Sequence, residues 1–344
     1  MKQLFFIISI LTVGTFSANA QFSTIMVCSP DGNTCAPYDY LDSALTHAAD
    51  GDYIYLPGGN FSITDPIDKE VHIIGAGYQP DSAQVTTISY INGDIRLDDS
   101  CNGSSFEGFK LQGDFVATCP LYYLTFRRVQ CGNIRIANGN TTDPFSPAYT
   151  YGNVNNTLID ACVFSGNINL GTNSYKGTIN VIRNSFLNYA TYTTNSLLKN
   201  NILNHPAGFS GSLVYNSTIN NNVVGYYGIS GSGNVANNNI KIGGTYVVSG
   251  TGSVDNNTYN QTTAQTFQTA TSLAFDFTKD YSIRATSPGH LGGTDGTDVG
   301  IYGGATPWKP GGIPSNPHFV QKSVSNAPDE DGQLQIQFKV RSEN

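Results

Sequence analysis

The chain has 344 residues, a formal net charge of −8 and only 12% charged side chains, about half the usual share. That balance excludes a nucleic-acid binder, which needs a basic footprint, and an acidic ligand would require a local basic patch. Glycine (37 residues) and asparagine (35, of which 24 fall between Asn153 and Asn260) carry the compositional bias, which points to a repetitive core rather than several domains.

Met1-Lys2, the apolar run Leu4–Val13 and the small residues Ser17-Ala18-Asn19-Ala20 read as a secretory signal over residues 1–20. That run is too short to span a membrane and no later stretch reaches about 18 apolar residues, so the expected product is secreted or displayed at the cell surface. Six cysteines fit an oxidising compartment. Cys28 and Cys35 close a short loop and are expected to pair. Cys101, Cys119, Cys131 and Cys162 could form the inter-coil bridges Cys101–Cys119 and Cys131–Cys162, or stay as buried thiols.

Residues 21–50 are expected to cap the fold. After Pro37, Tyr40, Leu41, Ala44, Leu45 and Ala48 fall at helical spacing. Ala48-Ala49-Asp50-Gly51-Asp52-Tyr53-Ile54-Tyr55-Leu56-Pro57-Gly58-Gly59-Asn60-Phe61 then reads as turn, strand, turn, strand, and Val71–Gly75 as the next strand.

Between Asn180 and Tyr259 one phrase returns: an apolar residue, any residue, Asn, then a polar residue. Its copies begin at Ile182, Leu198, Ile219, Val235 and Val254, spaced 16, 21, 16 and 19 residues apart. A period near 20 is a solenoid signature. Weaker copies start at Phe106, Phe126 and Ile159, which gives the column Gly108, Arg128, Ala161, Asn184, Asn200, Asn221, Asn237 and Asn256. Stacked amides are expected there as a structural ladder, each donating to the next. Eight such coils at about 4.8 Å each make a cylinder of roughly 40 Å. The extra length between Phe126 and Ile159 is assigned to a loop, Asn138–Asn153, whose Pro144 and Pro147 cannot serve a sheet interior.

The opening "A-x-D-G-D-x-I-x-L-P-G-G-x-F … V-x-I-I-G-x-G" resembles that of right-handed parallel β-helix proteins of the pectate-lyase-like superfamily, and the Asn phrases resemble their internal ladder. The resemblance covers roughly 38–260. It implies an all-β fold, a right-handed parallel β-helix over 51–304, with an N-terminal helical cap. Asp280-Tyr281 … Ser287-Pro288-Gly289 … Gly300-Ile301-Tyr302-Gly303 resembles a closing segment and suggests a final coil. Residues 305–344 read as a linker (Trp308–Pro314) and a C-terminal β-hairpin of Val320–Val324 and Leu334–Val340, packed on the solenoid.

The same fold hosts lyases, hydrolases and proteins without activity, so chemistry must come from residues. Cleavage of a uronate chain needs a cation on the carboxylate, a base and an acid. The acids Asp94, Asp98, Asp99, Glu107, Asp114, Asp143, Asp160 and Asp255 show no paired set at one recurring slot. The lyase pattern Arg-x-Pro-x-x-Arg is missing. No cofactor and no metal site is expected: the histidines are scattered, and Asp295 and Asp298 read as turn formers rather than Ca2+ ligands.

The strongest basic cluster is Lys110, Arg127 and Arg128, candidates for catalysis, with Arg135, Tyr149 and Tyr151 as candidate ligand contacts to a sugar acid. The preferred expectation is a non-catalytic protein whose partner is a polysaccharide or cell-surface glycan. The alternative is a polysaccharide lyase or glycoside hydrolase acting on acidic polysaccharide near Lys110, Arg127 and Arg128.

Overall fold

A computed structural model describes residues 24–79, 87–136, 152–206, 211–315, 318–325, 327–328 and 331–341. The signal segment and all but the last two residues of the loop Asn138–Asn153 lie outside them. The chain is a parallel β-solenoid of about nine turns. Three sheets run along it, named here A (12 strands), B (10) and C (9) among the described residues. No helix among the described residues is long and apolar enough to cross a membrane.

The period of two within each short strand decides which residues fill the bore. On sheet A, the stacked residues Phe106, Phe126, Ile159, Ile182, Leu198, Ile219 and Ala236 all point inward and are fully buried. Phe106, Phe115 and Phe126 meet with ring centroids 4.7–5.3 Å apart, filling the bore of the early coils. The column ends at Val254, which is 53% exposed, so the far end of the bore is open.

The near end is closed, with more β-structure than expected. Ile25–Cys28 and Cys35–Tyr38 form an antiparallel hairpin joined by the Cys28–Cys35 disulfide, and its first strand pairs antiparallel with Asp52–Tyr55. The hairpin covers the edge of sheet A, an otherwise unpaired row of N–H and C=O groups. The helix Leu41–His47 buries Leu41, Ala44 and Leu45 in the bore. Tyr40, expected on that apolar face, takes the N-cap position instead and is 76% exposed. The other four described cysteines are free: Cys101, Cys131 and Cys162 are buried and Cys119 is half-buried. Burial pushes the thiols of Cys101 and Cys162 up to about 12 and that of Cys119 to about 11.

The expected Asn column is real, but it is not the ladder. Gly108, Arg128, Ala161, Asn184, Asn200, Asn221, Asn238 and Asn256 all have φ between 49° and 73°. They form the sharp left-handed turn from sheet A to sheet B, a geometry Asn and Gly tolerate best. Asn237, expected in this column, precedes it, pairs with Asn220 and Asp255 in sheet A, and yields the slot to Asn238. The amide ladder lies one residue further on. Asn201 Nδ2 donates to Asn222 Oδ1 at 3.0 Å, Asn222 Nδ2 to Asn239 Oδ1 at 3.0 Å, and Asn239 Nδ2 to Asn257 Oδ1 at 2.8 Å. Left-handed backbone at one position turns its side chain outward and the next one inward, so the first Asn faces out and the second enters the bore. A second polar ladder runs where the chain enters sheet A: Asn180 N–H donates to Ser196, Ser196 N–H to Ser217 and Ser217 N–H to Asn234.

The last solenoid strand is Thr258–Gln261, and the segment expected to add a final coil does not. It turns back and runs outside the cylinder along the left-handed column. Asn238 Nδ2 donates to Gly292 O, Asn221 Oδ1 accepts from Thr294 N–H, Asn200 Nδ2 donates to Gly300 O, and Asn184 Nδ2 donates to Ile301 O and Gly303 O. The side chains Phe267, Leu273, Tyr281, Ile283, Val299, Ile301 and Trp308 bury the outer face of sheet B (Val163, Phe186, Ile202, Val223, Ile240) in a second hydrophobic cluster. The sequence Trp308–Pro314 is therefore no free linker. Gly312 lies so close to the buried Tyr78 ring that a Cβ there would fall inside it, at 2.0 Å. The terminal hairpin forms from His318–Val324 and Ile336–Arg341, but Ile336–Arg341 is exposed along its whole length rather than packed on the solenoid.

Candidate functional site

Two of the expected cations, Lys110 and Arg135, lie on separate faces. Lys110 lies on sheet B, 5.6 Å over the Tyr90 ring. Arg135 lies on sheet C, where its Nε and Nη2 donate to Asp114 Oδ2 (2.9 Å) and Asp94 Oδ2 (3.0 Å). Asp94 and Asp114 thus do recur at one slot, since Asp94 Oδ1 also accepts from Asp114 N–H, but the Arg135 fork occupies them. The signal was the Asp94–Asp114 spacing of one coil, which the Asn-centred register left out of phase. Tyr149 and Tyr151 lie outside the described residues.

Arg127 and Arg128 do converge on one place, together with a residue the sequence did not single out. Sheet A stacks Glu107, Arg127, Asp160, Arg183 and Lys199 in direct register on its outer face. Signs alternate from Glu107 to Arg183 at about 4.8 Å, so Asp160 has an arginine on each side. Arg183 Nη2 donates to Asp160 Oδ2 at 2.8 Å, and Arg127 Nε is 3.7 Å from the same oxygen. Asp160 keeps 6% of its side chain exposed, whereas each arginine keeps 34%. Lys199, next to Arg183, is held instead by Asp295 of the returning segment at 2.8 Å. Burial pushes the Asp295 carboxyl up, but bonds from Lys199 and Thr297 outweigh it and hold it at about 2.

Arg128 occupies the left-handed column and turns outward. Its Nη1 donates to Ile313 O at 2.7 Å and stands 3.8 Å from Glu107, which also accepts from Ser315. The returning segment is thus tied down at Asn184 on one side and Arg128 on the other. At the column position between them stands Ala161, with no polar group to offer. Across that gap a cleft of about 280 Å3 opens, lined by Arg127, Arg128, Arg183 and Lys309 against the single carboxylate of Asp160. Its outer wall is Ala305–Pro307 and Ser315.

Searches against protein families, curated proteins and solved structures return no match. The cleft must therefore be read from its own chemistry. Arg127 and Arg183 share the one Asp160 carboxylate, an excess of positive charge that favours an anionic group, and planar guanidinium forks match a carboxylate or sulfate edge. Among the described residues no three His, Cys, Asp or Glu side chains cluster as a metal-type donor set. Asp295 and Asp298 serve their turn: Asp295 Oδ1 accepts from Thr297, and Asp298 Oδ1 from Leu291 N–H and His290.

Proposed function

We propose that this is an exported β-solenoid that binds acidic polysaccharide, without cleaving it, in the Arg127–Arg183 cleft. One observation carries the reading. Two arginines in stacked strands share the buried Asp160 carboxylate, Arg183 hydrogen-bonded to it at 2.8 Å and Arg127 in ion-pair range at 3.7 Å, while a third of each side chain stays exposed. Groups held in this way lose little rotamer entropy when an anion arrives, so affinity is gained without rearrangement. They also place a basic patch on an otherwise acidic protein, so a polyanion is drawn to one location.

The same groups are poorly arranged for cleavage. A β-eliminating base must take a proton, yet Arg128 is committed to Ile313 O and Glu107, and the cleft's one carboxylate is committed to two arginines. The partner is therefore a uronate-bearing or sulfated glycan met outside the cell, and nucleic acid is disfavoured by the overall charge.

Binding to immobilised pectate, alginate and chondroitin sulfate tests the reading, with dextran as the neutral control. The Arg127→Ala/Arg183→Ala double variant should lose at least about tenfold in affinity for whichever polyanion binds, and wild-type binding should weaken as salt rises. Equal retention of wild type and double variant would sink the proposal. Release of unsaturated product absorbing in the ultraviolet would replace binding with lyase activity.

A further inference from the structure

We infer that a second cleft, on sheet B of the same coils, takes a neutral sugar ring. The outer face of sheet B reads, in register, Tyr90, Lys110, Gln130, Val163, Phe186, Ile202, Val223 and Ile240. It changes from polar to apolar between Gln130 and Val163. The returning segment buries the apolar part but stops at Leu273–Phe275, just short of the polar part, and a cleft of about 320 Å3 is left open there. That volume is in the range of small-ligand sites.

The floor is aromatic. The ring it offers is the half-buried Phe275, braced edge-on by the buried Phe186 at 4.7 Å and by Trp308 at 5.9 Å, so it does not need to move. The rim is made of amides. Asn204 Nδ2 donates to Asn188 Oδ1 and Asn188 Nδ2 to Ser165 O, which fixes their orientation and leaves Asn204 Oδ1 as an acceptor at one end of the cleft, while Gln130, three coils away on the same sheet, lines the other end with a buried Oε1 that has no partner. Among the described residues no charged side chain lines the cleft.

An apolar ring floor with uncharged donors and acceptors at its edge fits the C–H face and equatorial hydroxyls of a pyranose. A charged sugar would lose its counterion here, and a purely apolar ligand would leave the amides unpaired. The two clefts flank the same sheet A to sheet B turn. Gln130 follows Arg128 by two residues and Phe186 follows Arg183 by three, but the inference does not depend on what the cationic cleft binds.

The experiment titrates the full-length protein with xylohexaose, cellohexaose and mannohexaose by saturation-transfer NMR and calorimetry. At least one should bind, with transfer strongest at ring C–H protons. Ala274→Arg, which fills the cleft from an exposed wall position, should lower that affinity at least tenfold, and Arg127→Ala/Arg183→Ala should leave it unchanged. Asn204→Leu, which removes the rim acceptor, serves as an independent second variant if Ala274→Arg disturbs the fold. Failure of all three probes to bind, or binding that survives whichever folded cleft variant is tested, overturns the inference.

Discussion

Arg127 and Arg183 lie one coil either side of Asp160 and point at the same oxygen, Asp160 Oδ2, at 3.7 and 2.8 Å. The parallel register makes this arrangement unavoidable once the three residues occupy one column: side chains at the same slot on neighbouring coils are about 4.8 Å apart. The acid is buried and the bases are not, so removal of each has a different cost.

Asp160→Asn should destabilise the protein by about 3 kcal/mol, because it leaves two cations facing each other without their counter-charge. Arg127→Ala, at a third-exposed position, should cost less than about 1 kcal/mol. Urea denaturation of both variants measures the difference. Equal losses would show that the carboxylate is not the keystone of the trio.

Ala161 holds φ +55°, a conformation a β-carbon resists, in a column where Asn stands in the coils that follow. Ala161→Asn should therefore raise stability by about 0.5–1 kcal/mol, since Asn tolerates the left-handed region. The larger side chain also fills the cleft, so polyanion binding should drop at least about tenfold. Stability and affinity moving in opposite directions is the expected signature, read by thermal melting and by retention on the immobilised glycan. A variant that is stabilised and still binds would place the ligand elsewhere.

The relocated ladder predicts an asymmetry between neighbouring asparagines. Asn222 is fully buried; its Oδ1 accepts from Asn201, and its Nδ2 donates to Leu198 O, Asn220 O and Asn239 Oδ1. Asn222→Ala should cost about 3 kcal/mol or more, through unsatisfied partners in a cavity. Asn256→Ala, at an exposed left-handed turn beside the open end, should cost no more than about 1 kcal/mol. If the column containing Asn256 were the ladder, the two losses would be similar.

The fold was legible because it rests on local repetition. The Asp50–Phe61 turn-strand pattern and the five Asn phrases report strands and turns within about 20 residues of each other. One further residue of register could not be read from the phrase, because Asn-Asn at a left-handed turn looks the same whichever amide points inward. The turn geometry decides it, and Ala161-Cys162 and Asn184-Ser185 blur the pattern in the early coils. The site was half legible. Arg127 and Arg128 stood out as a pair, but Asp160 and Arg183 join them only through coil stacking, 33 and 56 residues further on. The wall supplied by 305–315 was invisible, since nothing local tells a chain to return along the outside of its own cylinder. Tyr281–Gly304, with little charge and many glycines, reads equally well as a coil or as the strap it is.

His205 gives a test in pH. It sits at φ +43° under sheet C with its ring enclosed: Nδ1 donates to Tyr227 O and Nε2 accepts from Ser212 Oγ, the neutral tautomer these partners require. Burial, with the nearby Lys241 charge, lowers its pKa from 6.5 to about 3 against the opposing pull of the Tyr227 carbonyl. In the unfolded chain the ring takes a proton as pH falls through 6.5, whereas in the folded chain it stays neutral until about 3. The stability it contributes is thus complete above pH 6.5 and drains away between 6.5 and 3, at about 1.4 kcal/mol per pH unit. Lys241, its pKa lowered by burial to about 8, stays charged throughout that window and adds no slope. His205→Asn keeps a residue suited to the left-handed backbone and removes the proton site. Urea midpoints at pH 7, 6 and 5 should fall more steeply for the wild type than for His205→Asn, with the other histidines cancelling in the comparison. Parallel slopes would mean that the ring is already open to water and protons in the folded protein.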